Sequence, residues 1–133
     1  MVRPLGGEAP VPVDVRLVAA TCEPLEELVA SRRFRADLYE RLAVCVVQVP
    51  PLRDRLDDIP ALVRHLLATS ELGHCPLSRD ALAALRRHRW PGNVRELRNV
   101  VEQSALRAGG RVEAEHVAEV LAERGVKARR HAP

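Results

Sequence analysis

The run from Trp90 to Leu97 combines a turn, a helix start and an arginine that could bind an anion. Pro91-Gly92 is a strong turn signal, and Asn93 is a residue type that commonly caps the start of a helix. Arg95 would then lie in the first helical turn. Helix N-termini carry partial positive charge, so a cation there is favoured only when an anionic group lies close by. The partner of Arg95 is therefore either a phosphate or carboxylate ligand, or a nearby glutamate of the chain itself.

Four helices are expected to position this run, because apolar residues recur at helical spacing throughout the second half of the sequence. Pro60 fits the first turn of the first helix, and Ser78 is a suitable cap for the second. The third helix follows the Trp90 turn. The sequence predicts that these helices end near Gly73, Arg89, Arg107 and Gly125, respectively.

The first half of the sequence predicts α/β structure. Val13 to Ala20 and Val44 to Val49 have the valine-rich composition of short buried strands, the second ended by Pro50-Pro51. Helical segments lie between them, one after Glu23-Pro24 and one over Arg35 to Leu42. Two short strands make a poor independent sheet. We therefore expect this half to belong to a larger structure.

Composition limits the classes of partner. The chain has 133 residues, 47% hydrophobic and only 2% aromatic, so the core must be aliphatic and base-stacking platforms are not expected. The net charge is +3, and Lys127, Arg129 and Arg130 alone supply that excess. The folded part should thus be close to neutral, which argues against direct DNA binding through the phosphate backbone.

The cysteines and the hydropathy pattern predict a cellular setting. Cys22, Cys45 and Cys75 are too far apart for a CxxC pair, and an odd count does not describe a disulfide framework. No stretch reaches transmembrane length, and the N-terminus has no apolar run typical of a signal peptide. We therefore expect a cytoplasmic protein with no membrane association and no metal site.

Four blocks of the sequence together resemble the AAA+ domain of bacterial sigma-54-dependent transcriptional activators, the enhancer-binding proteins. They occur in the order and spacing of that family and cover nearly the whole chain. The blocks are Val13 to Thr21, Phe34 to Leu42, Pro50 to Arg55 with Asp58-Ile59-Pro60, and Trp90 to Leu97. The resemblance implies an α/β fold, a partial AAA+ core with two short strands followed by a four-helix lid. It divides the chain into core residues 1–52, lid residues 53–125 and a basic tail, 126–133.

The resemblance also implies roles for three residues of the core. Arg35 and Arg41 match the two arginine fingers, which act in trans on the γ-phosphate held by a neighbouring subunit. A permanently charged, planar donor suits that task; alternatively, both arginines lie on a solvated helix face. Thr21 matches the sensor I region. Cys22 follows it where the family commonly has a more polar residue, which puts the full sensing role in doubt.

In the lid, the resemblance implies contacts with ATP, which the family uses with magnesium. Arg95 matches the sensor II arginine, which reaches the nucleotide of its own subunit. Val94 and Ile59 match positions that flank the adenine, and both are equally explained as core residues.

Two elements of ATP hydrolysis are absent from the sequence. The only lysine is Lys127, so no glycine-rich loop followed by Lys-Ser/Thr is present. No apolar strand runs into adjacent acids that could hold magnesium, because Val44 to Val49 ends in prolines. The chain alone is therefore not expected to hydrolyse ATP or to bind it tightly.

Three functions remain open on this evidence. In the first, which the resemblance implies, the chain is part of an activator ATPase whose partners are other AAA+ subunits and, through segments outside it, the sigma-54 RNA polymerase. Alternatively, it is a non-catalytic interaction module that docks on intact AAA+ subunits. A third alternative is a small DNA-binding protein that uses Trp90 to Leu106, and Glu96 and Glu102 on that helix weigh against it.

Overall fold

Six α-helices form in the part of the chain that the computed structural model describes, residues 5–6, 9–73 and 75–130, with side chains described as far as 125. The chain divides into two compact units, Met1–Gln48 and Val49–Pro133, here called the first and second units. The helices are α1 (Leu25–Ala30), α2 (Ala36–Leu42), α3 (Ile59–Ala68), α4 (Arg79–Arg87), α5 (Asn93–Ala108) and α6 (Ala114–Arg130). Two short 3-10 turns, Leu52–Asp54 and Leu56–Asp58, precede α3.

The first unit contains α1 and α2, both short. α1 begins directly after Pro24, whose carbonyl accepts the N–H groups of Glu27 at 3.1 Å and Leu28 at 3.2 Å. The two helices contact each other, and the Tyr39 hydroxyl donates a 2.8 Å hydrogen bond to Glu26. This bond to a carboxylate raises the pKa of Tyr39 above its usual value. A polar contact thus links two helices that bury no residue fully.

Neither predicted strand forms in the described residues. Positions 13–20 and 44–49 join no ladder. Val44 lies in a turn and Cys45 in a bend, and every other residue of both segments is irregular backbone. Their valines are exposed, Val18 to 81% and Val44 to 86%. A strand depends on neighbouring strands for its hydrogen bonds and for burial of its side chains. The described residues supply neither, so the valine-rich pattern alone does not produce a sheet.

The second unit contains the four helices predicted for it, packed around one aliphatic core. The amphipathic spacing of α3 buries Ile59, Val63, Leu66 and Leu67 on one face. α6 packs on both α4 and α5, and α3 also contacts α4 and α5. The buried core of this unit comprises Leu52, Ile59, Val63, Leu66, Leu67, Cys75, Ala81, Leu85, Trp90, Leu97, Val100, Val101, Ala105, Val112, Val117 and Val120.

Local signals set most helix ends. The Ser78 hydroxyl caps α4 by accepting the Ala81 N–H at 3.1 Å. α5 ends at Gly109, whose φ of 59° is left-handed. α6, however, passes through Gly125 and continues to Arg130, so the predicted helix end at Gly125 is wrong. A glycine inside a helix costs only about 1 kcal/mol relative to alanine, which does not by itself end a helix. Residues 131–133 of the predicted tail lie outside the described residues.

A short backbone bridge lies near the start of α4 in the second unit. Leu77 and Val112 form an isolated parallel bridge. The Val112 N–H donates to the Pro76 carbonyl at 2.9 Å, and the Ser78 N–H donates to the Val112 carbonyl at 2.9 Å. The bridge joins the residues before α4 to the connection between α5 and α6.

Candidate functional site

The predicted turn before α5 is present and has ordinary type I geometry. The Asn93 N–H donates to the Trp90 carbonyl at 2.9 Å, with Pro91 at the second position of the turn. Gly92 has φ −87° and ψ 10°, as the third position of such a turn requires. Trp90 and Asn93, at the two ends, both have a φ of 52° in the left-handed region. The turn thus reverses the chain sharply between α4 and α5.

Trp90 anchors this turn to the end of α4. Its side chain is fully buried, and the indole N–H donates to the Leu85 carbonyl at 2.9 Å. The Trp90 backbone N–H donates to Nδ1 of His88 at 3.1 Å. The rings of His88 and Trp90 pack edge to face, with their centroids 4.6 Å apart. Packing and three directed contacts therefore fix the position from which α5 starts.

Asn93 does not cap α5 as predicted. The N-cap residue is Gly92, whose own N–H is accepted by the Glu96 carboxylate at 2.8 Å. The Asn93 amide oxygen instead accepts the Leu52 N–H at 2.9 Å. The amide oxygen is thus used in a bond to a residue far away in the sequence. The sequence signal for that bond was weak: two prolines before Leu52 mark a segment with few backbone donors.

Arg95 lies in the first turn of α5, as predicted, and its side chain is exposed. Among the described residues no carboxylate lies within ion-pair distance of it. Glu96, the nearest glutamate in sequence, instead contacts the Gly92 N–H and lies 3.9 Å from Nε2 of His88. The alternative that Arg95 pairs with a neighbouring glutamate is therefore not observed.

A groove with a volume of about 730 Å³ runs beside this arginine, and we call it the Arg95 groove. It lies between the start of α5 and the later turns of α6. Two guanidinium groups, those of Arg95 and Arg124, line it together with the side-chain amides of Asn99 and Gln103. The other lining residues are His88, Pro91, Gly92, Glu96, Leu121, Glu123 and Gly125. The carboxylates of Glu96 and Glu123 balance the two guanidinium charges, so the groove as a whole has no net formal charge. The guanidinium groups of Arg95 and Arg124 are the donors in it that suit an anionic ligand.

The two residues predicted to flank adenine differ in accessibility. Val94 is half-buried at the start of α5, so part of its side chain can contact a ligand. Ile59 is fully buried in the core and offers no surface to a ligand in this structure. Its burial agrees with the core alternative, and the contact with adenine stays a prediction for both Ile59 and Val94.

Arg35 and Arg41 lie at opposite ends of α2. Arg35 precedes the helix, and its guanidinium forms two hydrogen bonds to Asp37, at 3.0 and 2.9 Å. Arg41 is in the last turn, is exposed and forms no ion pair among the described residues. Both side chains of this pair are exposed to solvent, so Asp37 orients Arg35 without burying it.

Thr21 has a local structural contact. Its hydroxyl oxygen accepts the Glu23 N–H at 3.0 Å, just before α1. Both Thr21 and Cys22 are exposed. The hydrogen bond to Glu23 is one reason why a hydroxyl suits this position. The sensor I role of Thr21 stays a prediction, because this contact does not test it.

Residues 9–73 and 75–130 contain neither a candidate metal site nor a candidate membrane-spanning helix. No group of three or more His, Cys, Asp or Glu side chains there could hold a metal ion. None of the helices in those ranges combines the length and the apolar character needed to cross a membrane.

The chain matches two protein families, and the boundary between the two matches lies close to the boundary between the two structural units. Residues 53–133 match the AAA+ ATPase lid domain, and residues 1–48 match the sigma-54 interaction domain. The first match covers more than half of the chain. It also corresponds to the four-helix part that carries Arg95.

Individual relatives agree with this assignment. The chain is 46% identical over 121 residues to the nitrogen assimilation regulatory protein NtrX of Azorhizobium caulinodans, an alignment that covers 88% of this chain and 27% of the relative. It is 49% identical over 110 residues to the DNA-binding transcriptional regulator NtrC of Escherichia coli K12, covering 80% and 24%. The chain thus spans about a quarter of the length of these curated relatives.

Solved structures resemble the chain in three dimensions. NtrX from Brucella abortus in complex with ATP has a TM-score of 0.73 at 38% identity, covering 86% of this chain and 29% of that one. Its complex with ADP has a TM-score of 0.72 at 40% identity, covering 84% and 28%. By its helical lid and its adjoining sigma-54 interaction segment, the chain belongs to the AAA+ family and corresponds to the C-terminal part of the AAA+ domain of bacterial sigma-54-dependent transcriptional activators.

Proposed function

We propose that the chain acts as part of a cytoplasmic activator ATPase and that Arg95 contacts the phosphates of ATP as its lid sensor. The observation that carries this proposal is the exposed guanidinium of Arg95, without an ion pair among the described residues, beside the Arg95 groove. An arginine there can donate two parallel hydrogen bonds to a phosphate. The similar NtrX chain, crystallised in complex with ATP and with ADP, supports the choice of ligand.

Under this proposal the chain divides into a core part over 1–52, a lid over 53–125 and a tail over 126–133. Half-buried Val94 would contact the adenine from the lid. ATP hydrolysis would need a phosphate-binding loop and magnesium ligands, and neither motif occurs in this sequence. We therefore expect weak ATP binding and no turnover by the chain alone.

An ATP titration of the full chain, followed by NMR up to millimolar nucleotide, tests the role of Arg95. Arg95→Ala should weaken binding about 10- to 100-fold, the range expected for hydrogen bonds to a charged group. Arg98→Ala is the matched control, because Arg98 is exposed on the same helix and does not line the groove. Equal losses in both variants, or no ATP binding by the wild type, would refute the proposal.

We further propose that Arg41 and Arg35 act in trans, each stabilising the γ-phosphate bound by a neighbouring AAA+ subunit. Arg41 needs no prior rearrangement, whereas Arg35 must first leave Asp37. Adding the chain to an intact sigma-54 activator tests this through the ATPase rate. An equal effect of the wild-type chain and an Arg35→Ala/Arg41→Ala chain would contradict the finger role.

A second candidate function is a non-catalytic interaction module that docks on intact AAA+ subunits. The exposed valines at 13–20 and 44–49 favour it, because unpaired apolar segments are surfaces that a partner can cover. The same mixing experiment separates the two functions. Assembly with the activator that persists when both arginines are replaced would favour docking without a catalytic contribution.

A further inference from the structure

One hydrogen bond joins the beginning of the second unit to the turn before α5. The Leu52 N–H donates to Oδ1 of Asn93 at 2.9 Å, across 41 residues of sequence. Pro50 and Pro51 have no N–H, so Leu52 carries the first backbone donor after Val49. The Leu52 side chain is fully buried in the core of the same unit. This segment is thus held by its packing and by the Asn93 amide.

The backbone of Asn93 suits it for this contact. Its φ of 52° lies in the left-handed region, which asparagine adopts more readily than most residues with a side chain. Its N–H closes the turn to Trp90, and next to it the Glu96 N–H donates to the Gly92 carbonyl at 3.2 Å as α5 begins. Asn93 therefore takes part in the turn, in the first helical residues and in the bond to Leu52. Arg95 follows two residues later.

We propose that Asn93 is a positioning residue, whose amide oxygen holds the 3-10 turn Leu52–Asp54 at the first turn of α5. The tether itself involves no ligand. Its consequence for ATP, that Arg95 is kept where it can reach a phosphate, rests on the function proposed above. A side chain without an acceptor at this position would leave the N–H of buried Leu52 without this hydrogen bond.

Amide hydrogen exchange of the full chain, measured by NMR, tests the tether. Asn93→Gly keeps the left-handed backbone and removes the acceptor, whereas Asn93→Asp keeps an acceptor of nearly the same shape. In Asn93→Gly we expect exchange to be about fivefold faster at Leu52, the size of one typical hydrogen bond, and faster also at Glu96. Asn93→Asp should stay close to the wild type.

The Val112 amide is the internal control, because it is bonded to Pro76 in the bridge near the start of α4. Unchanged exchange at Leu52 in Asn93→Gly would overturn the tether. An equal increase at Leu52 and Val112 would also overturn it, since that pattern reports a general loss of stability. So would an aspartate variant that exchanges as fast as the glycine variant.

ATP titrations of the same variants separate this proposal from the function on which its consequence rests. Arg95→Ala should lose ATP binding while Leu52 stays protected, and Asn93→Gly should bind ATP several-fold more weakly than the wild type. Equal ATP affinity in the wild type and in Asn93→Gly, with Leu52 loosened, would overturn the positioning of Arg95. If the wild type binds no ATP, the proposed function fails, and the tether is decided by exchange at Leu52 and Glu96 alone.

Discussion

Replacing Gly92 by alanine should destabilise the second unit through a single steric contact. A Cβ atom built on Gly92 would lie 2.8 Å from Cβ of Glu96 and 3.3 Å from its carboxylate oxygen. The Gly92 backbone, at φ −87°, is one that alanine adopts without strain. The predicted cost therefore comes from the contact and not from the conformation of the backbone.

The magnitude follows from what must move. Cβ of Glu96 is fixed to the first turn of α5, so a rotation of the side chain cannot relieve the contact. Either the turn shifts, or Glu96 tilts and loses its 2.8 Å bond to the Gly92 N–H. Overpacking of this kind costs about 1–3 kcal/mol, and alanine is also a poorer N-cap than glycine.

Urea unfolding followed by the fluorescence of Trp90, the only tryptophan, measures this cost. A loss of that size should lower the urea midpoint by roughly 1–2 M for a unit of this size. Gly110→Ala is the control, because a Cβ there meets nothing within 4 Å and the midpoint should hardly change. A Gly92→Ala midpoint equal to that of Gly110→Ala would refute the steric argument.

Two further predictions concern individual hydrogen bonds. Ser78→Ala removes the cap that accepts the Ala81 N–H and should cost about 1 kcal/mol in the same urea assay, whereas Ser78→Asp, which restores an acceptor, should recover most of it. Tyr39 is the only tyrosine, so its ultraviolet titration is unambiguous, and Glu26→Gln should lower its raised pKa towards the ordinary 10.0. Because the folded pKa is raised, the stability that this bond contributes is present at neutral pH and is lost as the pH rises through that pKa. An unchanged titration in Glu26→Gln would show that the contact between α1 and α2 is absent in solution.

The four helices of the second unit were predictable from the sequence because the residues that define them lie close together in it. The spacing of Ile59, Val63, Leu66 and Leu67 defines one face of α3 without reference to any other element, and Ser78 caps α4 within three residues of its own position. The strands were not predictable in this way. A valine-rich segment becomes a strand only beside another strand, and no property of 13–20 or 44–49 supplies one.

At the candidate site, too, local features could be predicted from the sequence and contacts between distant residues could not. The position of Arg95 in the first turn of α5 follows from the turn signal two residues before it. The bond between Asn93 and Leu52 does not, because nothing local distinguishes an asparagine that caps a helix from one that reaches a distant backbone group. Gly125 was misread for a related reason: the packing of α6 on α4 and α5 outweighs the intrinsic preference of one residue.

The division of the chain after Gln48 also separates its two chromophores. Tyr39 belongs to the first unit and Trp90 to the second, and the sequence has one of each. In an alkaline titration, indole fluorescence therefore follows only the second unit, while tyrosinate absorbance follows only the segment that matches the sigma-54 interaction domain. One sample can report two unfolding curves, and where they do not coincide, no single midpoint describes the molecule.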